Sequence, residues 1–137
     1  DYAKSVRMPL AIEPLHPMQA AERACVNTLE QALDLCDELD PARTGALGVA
    51  VDMYHVWWDP KLALQIARAG RERLLAFHVC DWLVPTTDLL LDRGMMGDGV
   101  IDIGCRGFPR DEGPLVRAGQ GDVIGRARPR GSARRIP

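Results

Sequence analysis

Three short apolar runs, each stopping at a residue able to do chemistry, constrain the fold of this chain more than any other feature. Pro9–Ile12 stops at Glu13, Leu47–Val51 stops at Asp52, and Leu74–Phe77 runs into His78 before continuing through Val79 and Cys80 to Asp81. Runs this short and this apolar read as strands buried on both faces, as in a parallel sheet covered by helices. Helical stripes fill the intervals. Pro17 suits the first turn of a helix, and Ala21, Ala24, Cys25, Leu29, Ala32, Leu33 and Cys36 recur at three- and four-residue steps as far as Glu38. Asp40-Pro41 and Gly45 close that stripe. Pro60 opens a second one, Leu62, Ala63, Ile66 and Ala67, punctuated by Gly70 and Arg71-Glu72-Arg73. Strand, helix, strand, helix, strand at this spacing predicts an α/β chain of parallel crossover units, with all strand carboxyl ends at one mouth.

Past Trp82 the pattern breaks. Val84-Pro85-Thr86-Thr87 is expected to start a short helix through Leu91, and Asp92–Gly99 reads as a glycine-punctuated binding loop. From Gly104 onward the sequence changes character. Eight arginines against three acidic residues give the last 34 positions a charge of +5, so the first 103 carry −7 of the overall −2. Nineteen of those 34 residues are Arg, Gly or Pro. Such a segment buries too little apolar surface to offset its ordering entropy, which predicts a disordered basic tail over 104–137 beside a folded unit over 1–103. The abrupt change also resembles translation in a shifted reading frame. Without interleaved aromatic residues the tail is not expected to bind nucleic acid. The four cysteines form no C-x-x-C pair and read as packing residues of a reduced, cytoplasmic protein, and no apolar run is long enough to cross a bilayer.

Glu13, Asp52 and His78, placed at three successive strand ends, would bring two carboxylates and one imidazole to one point. Hard oxygen and nitrogen donors of this kind suit Mn²⁺, Mg²⁺, Co²⁺ or Zn²⁺, and a cation held there can polarise a substrate carbonyl while carboxylates move a proton beside it. Taken singly, each has a plainer reading: Glu13 as an exposed strand-end charge, Asp52 as a turn cap, His78 as a hydrogen-bonded core histidine. His55 is either a substrate contact or a turn-packing histidine, and Trp57 and Trp58 either wall a sugar pocket or bury against a helix. Arg93 is a candidate for holding a phosphate or sugar oxygen, with a solvated arginine as the alternative. Asp81 is read as a partner orienting a metal-bound histidine or as a strand terminator, and His16 as a loop histidine that supports the site.

Ile12-Glu13-Pro14-Leu15-His16-Pro17, Val51-Asp52-Met53-Tyr54-His55-Val56-Trp57-Trp58, Phe77-His78-Val79-Cys80-Asp81-Trp82 and Gly97-Asp98-Gly99-Val100-Ile101-Asp102 together resemble the sugar phosphate isomerase/epimerase family over about residues 8 to 103. That family lies in the xylose-isomerase-like superfamily of (β/α)₈ barrels, which also contains endonuclease IV-type phosphodiesterases. The resemblance implies about three β/α units from the carboxyl-terminal portion of such a barrel. It implies a divalent metal held by Glu13, Asp52 and His78, with Glu13 also a proton-transfer group and His55 near a sugar or sugar phosphate. A fourth ligand and second acid/base, a glutamate on one further strand, is expected where the Arg/Gly/Pro-rich tail stands instead. Isomerase or epimerase ancestry is therefore the leading expectation. The alternatives are a catalytically inactive fragment and, against the count of only three histidines, a phosphodiesterase. Open sheet edges would let two copies associate.

Overall fold

The computed structural model describes residues 2–102; the tail expected over 104–137 lies outside them. A short helix α1 (Tyr2–Ser5) leads into β1 (Leu10–Ile12), followed by α2 (Leu29–Leu39), β2 (Leu47–Asp52), α3 (Met53–Val56), α4 (Leu62–Arg73) and β3 (Leu74–His78). The three strands form one parallel sheet in the order β1-β2-β3. This is the expected arc of a (β/α)₈ barrel, with α2 and α4 as the crossover helices.

The central strand β2 is buried along nearly its whole length, as its unbroken apolar run requires. Val49 and Val51 join Leu29, Ala32, Leu33 and Cys36 of α2 and Leu62, Ile66 and Ala69 of α4 in one core cluster. Between Val49 and Ala50 the β2–β3 register shifts, pairing Val49 with Leu74 but Ala50 with Ala76. The extra residue, Leu75, packs over Gly48, where an added Cβ would stand 2.7 Å from Leu75 Cγ and also strike the Arg73 carbonyl. Gly48→Ala should therefore cost about 1 to 3 kcal/mol by overpacking, measurable as a lower urea midpoint at unchanged slope.

Three expectations are corrected. The first helix does not begin at Pro17: Pro17–Gln19 is a single 3₁₀ turn, and α2 starts only after Thr28. A capping box fixes that start, because Thr28 Oγ1 accepts from the Gln31 amide while Gln31 Oε1 accepts from the Thr28 amide. The segment before it is drawn back along the chain by Leu15 N–H donating to Val26 O and Asn27 Nδ2 donating to Leu15 O. Second, no helix forms over Val84–Leu91. Asp88 Oδ1 accepts from the Leu90 and Leu91 amides, and Asp92 Oδ2 accepts from the Thr87 amide and hydroxyl, so side chains take the donors that a helix would use. Third, the last strand stops at His78. Asp81–Trp82 (β4) instead pairs antiparallel with Arg93–Gly94 (β5) as a separate ribbon.

Candidate functional site

Parallel register sets the geometry of the mouth. Asp52 pairs with His78, so β2 and β3 end level, while β1 leaves the sheet earlier, with Ile12 beside Val49. Glu13 follows at once, and its side chain reaches across the end of β2: Oε1 lies 3.6 Å from His78 Nδ1. Both side chains face solvent, whereas Asp52 between them is buried, 4% exposed. Asp52 Oδ1 accepts from the Tyr54 amide, 2.9 Å, and so caps the first turn of α3. The turn-cap reading of Asp52 is thus correct for one oxygen. The other, Oδ2, remains directed at the mouth.

Capping by Asp52 starts α3 immediately, and that single turn carries His55 inward. Ligand atoms of Glu13, Asp52 and His55 all lie within 4.8 Å of one another, the one such His/Cys/Asp/Glu group among the described residues. His78 adjoins this group through Glu13. His55 Nδ1 accepts from the His16 amide at 3.2 Å. A neutral imidazole has one lone-pair nitrogen, so this bond puts the proton on Nε2 and makes that face a donor. Burial is the main force lowering the His55 pKa, and Arg93 reinforces it against the opposing pull of Asp52 and Glu13, so the neutral ring is favoured. A ring in this tautomer offers N–H to a substrate oxygen, whereas metal ligation through Nε2 would need the opposite tautomer.

Arg93 reaches the same point from β5. Its Nη1 donates to Asp52 Oδ2 at 2.9 Å, its guanidinium lies 4.3 Å from the centre of the Tyr54 ring, and Nη2 stands 3.3 Å from His55 Nε2. Tyr54 is stacked on Trp82 and its hydroxyl donates to Leu89 O, which ties the 84–92 loop to α3. His16 lies 5.0 Å from Trp82, ring centre to ring centre, and its Nδ1 accepts from the Met18 amide. The His16 backbone thus orients His55, and its ring packs beside Trp82. Trp57 packs against the core with Nε1 buried and without a hydrogen-bond partner, and Trp58 Nε1 donates to His55 O.

Asp81 does neither job expected of it. Fully buried, it accepts from four backbone amides: Trp82 and Ile101 on Oδ1, Gly97 and Gly99 on Oδ2, at 2.8 to 2.9 Å. It organises the glycine-rich loop rather than a histidine. Burial works to raise its pKa, but the Ile101, Gly99, Gly97 and Trp82 amides together outweigh that and hold the carboxyl below its usual range. Cys80, half-buried, has its Sγ 3.8 Å from Arg93 Nη1, and burial, assisted by Asp52, pushes the thiol up.

Two carboxylates and an imidazole at the mouth supply hard donors of the kind a divalent cation takes; the converging atoms belong to Glu13, Asp52 and His55, while His78, expected as the third ligand, adjoins them 3.6 Å from Glu13 Oε1. The amino-terminal ends of the strands are built differently. There Arg73, 1% exposed, donates to the Asp40 carboxylate and to the carbonyls of Cys36, Asp40 and Leu47. Sequence alone gave no signal for this residue.

No helix among the described residues is long and apolar enough to cross a membrane. No curated protein matches the chain. The protein SMc04130 of Sinorhizobium meliloti 1021, known from its crystal structure, is similar at 68% identity with a TM-score of 0.68. The match covers 74% of this chain but 36% of that one, so the chain spans about a third of its relative's length. The family described as xylose isomerase-like TIM barrel matches residues 1–105. With three parallel β/α-linked strands and that match over most of its length, the chain belongs to the xylose isomerase-like TIM barrel family.

Proposed function

We propose that this chain carries part of the active site of a metal-dependent sugar or sugar phosphate isomerase or epimerase. The observation that carries the reading is the meeting of Glu13 and His78 across the end of β2, where Asp52 stands, three polar groups from three successive parallel strands. Glu13, Asp52 and His78 would hold a divalent cation, which when bound polarises a carbonyl and acidifies the adjacent C–H. Glu13, exposed at the mouth, can take and return that proton. The Nε2–H of His55 is set to donate to a sugar oxygen. Arg93, whose Nη2 stands 3.3 Å from that nitrogen, supplies a second donor beside it, suited to a hydroxyl, a carbonyl or a phosphate oxygen. His16 and Trp82 give an aromatic wall against which a sugar ring can lie, with Tyr54 buried behind Trp82.

Calorimetric titration tests this. Mn²⁺ or Co²⁺ should bind the chain stoichiometrically, and Asp52→Ala should weaken that binding by about a hundredfold or abolish it. An absence of stoichiometric binding, or binding that Asp52→Ala leaves unchanged, would defeat the reading.

A further inference from the structure

The candidate metal site holds its own competitor. Asp52 Oδ1 is taken by the Tyr54 amide, so Oδ2 is the oxygen left for a cation, and Arg93 Nη1 already sits on it at 2.9 Å. This contact is not a stray surface pairing. The guanidinium is held over the Tyr54 ring, and the backbone of Arg93 is fixed opposite Trp82 in the β4–β5 ribbon. Its Nη2 gains nothing from His55: the His16 amide occupies the ring's lone pair at Nδ1, leaving the proton of Nε2 facing another donor at 3.3 Å. The guanidinium is therefore well held at Asp52, poorly matched at His55, and 32% exposed on a route to solvent.

We propose that Arg93 competes with the divalent cation for Asp52, setting the metal affinity of the site, and turns away from Asp52 toward the mouth when metal loads. This rests on the metal-site reading above. Two positive charges on one buried carboxylate repel strongly where solvent screening is weak, so either cation weakens the hold of the other. Arg93 leaving Asp52 would then be free to meet a substrate oxygen, so that its substrate-binding position is made available by the metal.

Titration of Mn²⁺ into the full chain and its Arg93→Gln and Arg93→Lys variants, with melting temperatures measured alongside, tests the proposal. Arg93→Gln should bind Mn²⁺ about tenfold more tightly than wild type, while Arg93→Lys, which keeps the charge, should stay close to wild type. In the wild-type chain, saturating Mg²⁺ should move the Arg93 side-chain N–H resonance, assigned through Arg93→Lys, toward its solvent-exposed position. That measurement keeps the test open should Arg93→Gln fold poorly. Equal or weaker binding by a folded Arg93→Gln, or an Arg93 resonance unmoved by bound Mg²⁺, overturns the competition while leaving the metal site intact. No metal binding by any of the three overturns both.

Discussion

Replacing Arg73 by alanine is expected to lower the unfolding free energy by about 3 to 5 kcal/mol, because it leaves a buried carboxylate and several carbonyls without their donor. Its guanidinium joins two segments: the end of α2, through the Cys36 and Asp40 carbonyls and the Asp40 carboxylate, and the start of β2, through the Leu47 carbonyl. Bonds to a charged donor contribute about 1.5 to 3 kcal/mol each, and because these share one side chain their losses do not simply add. The cation also faces carbonyls at the carboxyl end of α2, where the helix dipole favours positive charge. Arg73→Met, which keeps the aliphatic stem but not the donors, should recover only the packing part. Urea melts at neutral pH measure both variants. Since Arg73 lies at the end of the sheet away from Asp52 and His78, Mn²⁺ affinity of the folded variants should match wild type. A variant as stable as wild type would show that the carbonyls find other donors at little cost.

What was legible in the sequence follows from how local each feature is. The strands were readable because a buried parallel strand must be apolar on both faces, so Leu47–Val51 announces itself and Asp52 marks where burial gives way to chemistry. Parallel order then places Glu13, Asp52 and His78 at one mouth without further information. The helix start is ambiguous in the sequence because Ala21, Ala24 and Cys25 keep the helical period while the Thr28–Gln31 capping box, equally visible, sets the real boundary. The roles that depend on tertiary contacts could not be read. Nothing adjacent to His55 says that the His16 backbone, 39 residues away, decides which of its nitrogens carries the proton. The sequence marks Arg93 only as a candidate for an anionic or sugar oxygen, because its bond to Asp52 spans 41 residues and depends on the β4–β5 ribbon. Arg73 looked like helix punctuation because its partners lie 26 to 37 residues earlier in the chain.

Asp81→Asn is expected to unfasten the loop that carries Gly97–Ile101, although the substitution is nearly isosteric. A carboxylate can accept on both oxygens, and Asp81 does so, two amides on each. Asparagine keeps one acceptor oxygen and turns an NH₂ toward the other two amide donors, so one pair of bonds is lost and donor meets donor. The local opening free energy should fall by about 2 to 4 kcal/mol, read as faster hydrogen exchange at the Gly97, Gly99 and Ile101 amides. Glycine at 99 is fixed by the same arrangement, since an added Cβ would strike the Trp82 carbonyl and stand 2.6 Å from Asp81 Oδ1. The pH dependence has a definite sign. Because the folded carboxyl titrates below an ordinary aspartate, its contribution is complete above the unfolded value of about 3.9 and is lost as pH falls through the lower folded value. Wild-type protection of these amides should therefore decline in acid below about pH 4, while the Asn variant shows no such decline. Unchanged exchange in Asp81→Asn at neutral pH would mean that Ile101, buried in the core, holds the loop without the carboxylate. If the loop does open, the β4–β5 ribbon that carries Arg93 loses its support, and with it the contact that Arg93 makes on Asp52.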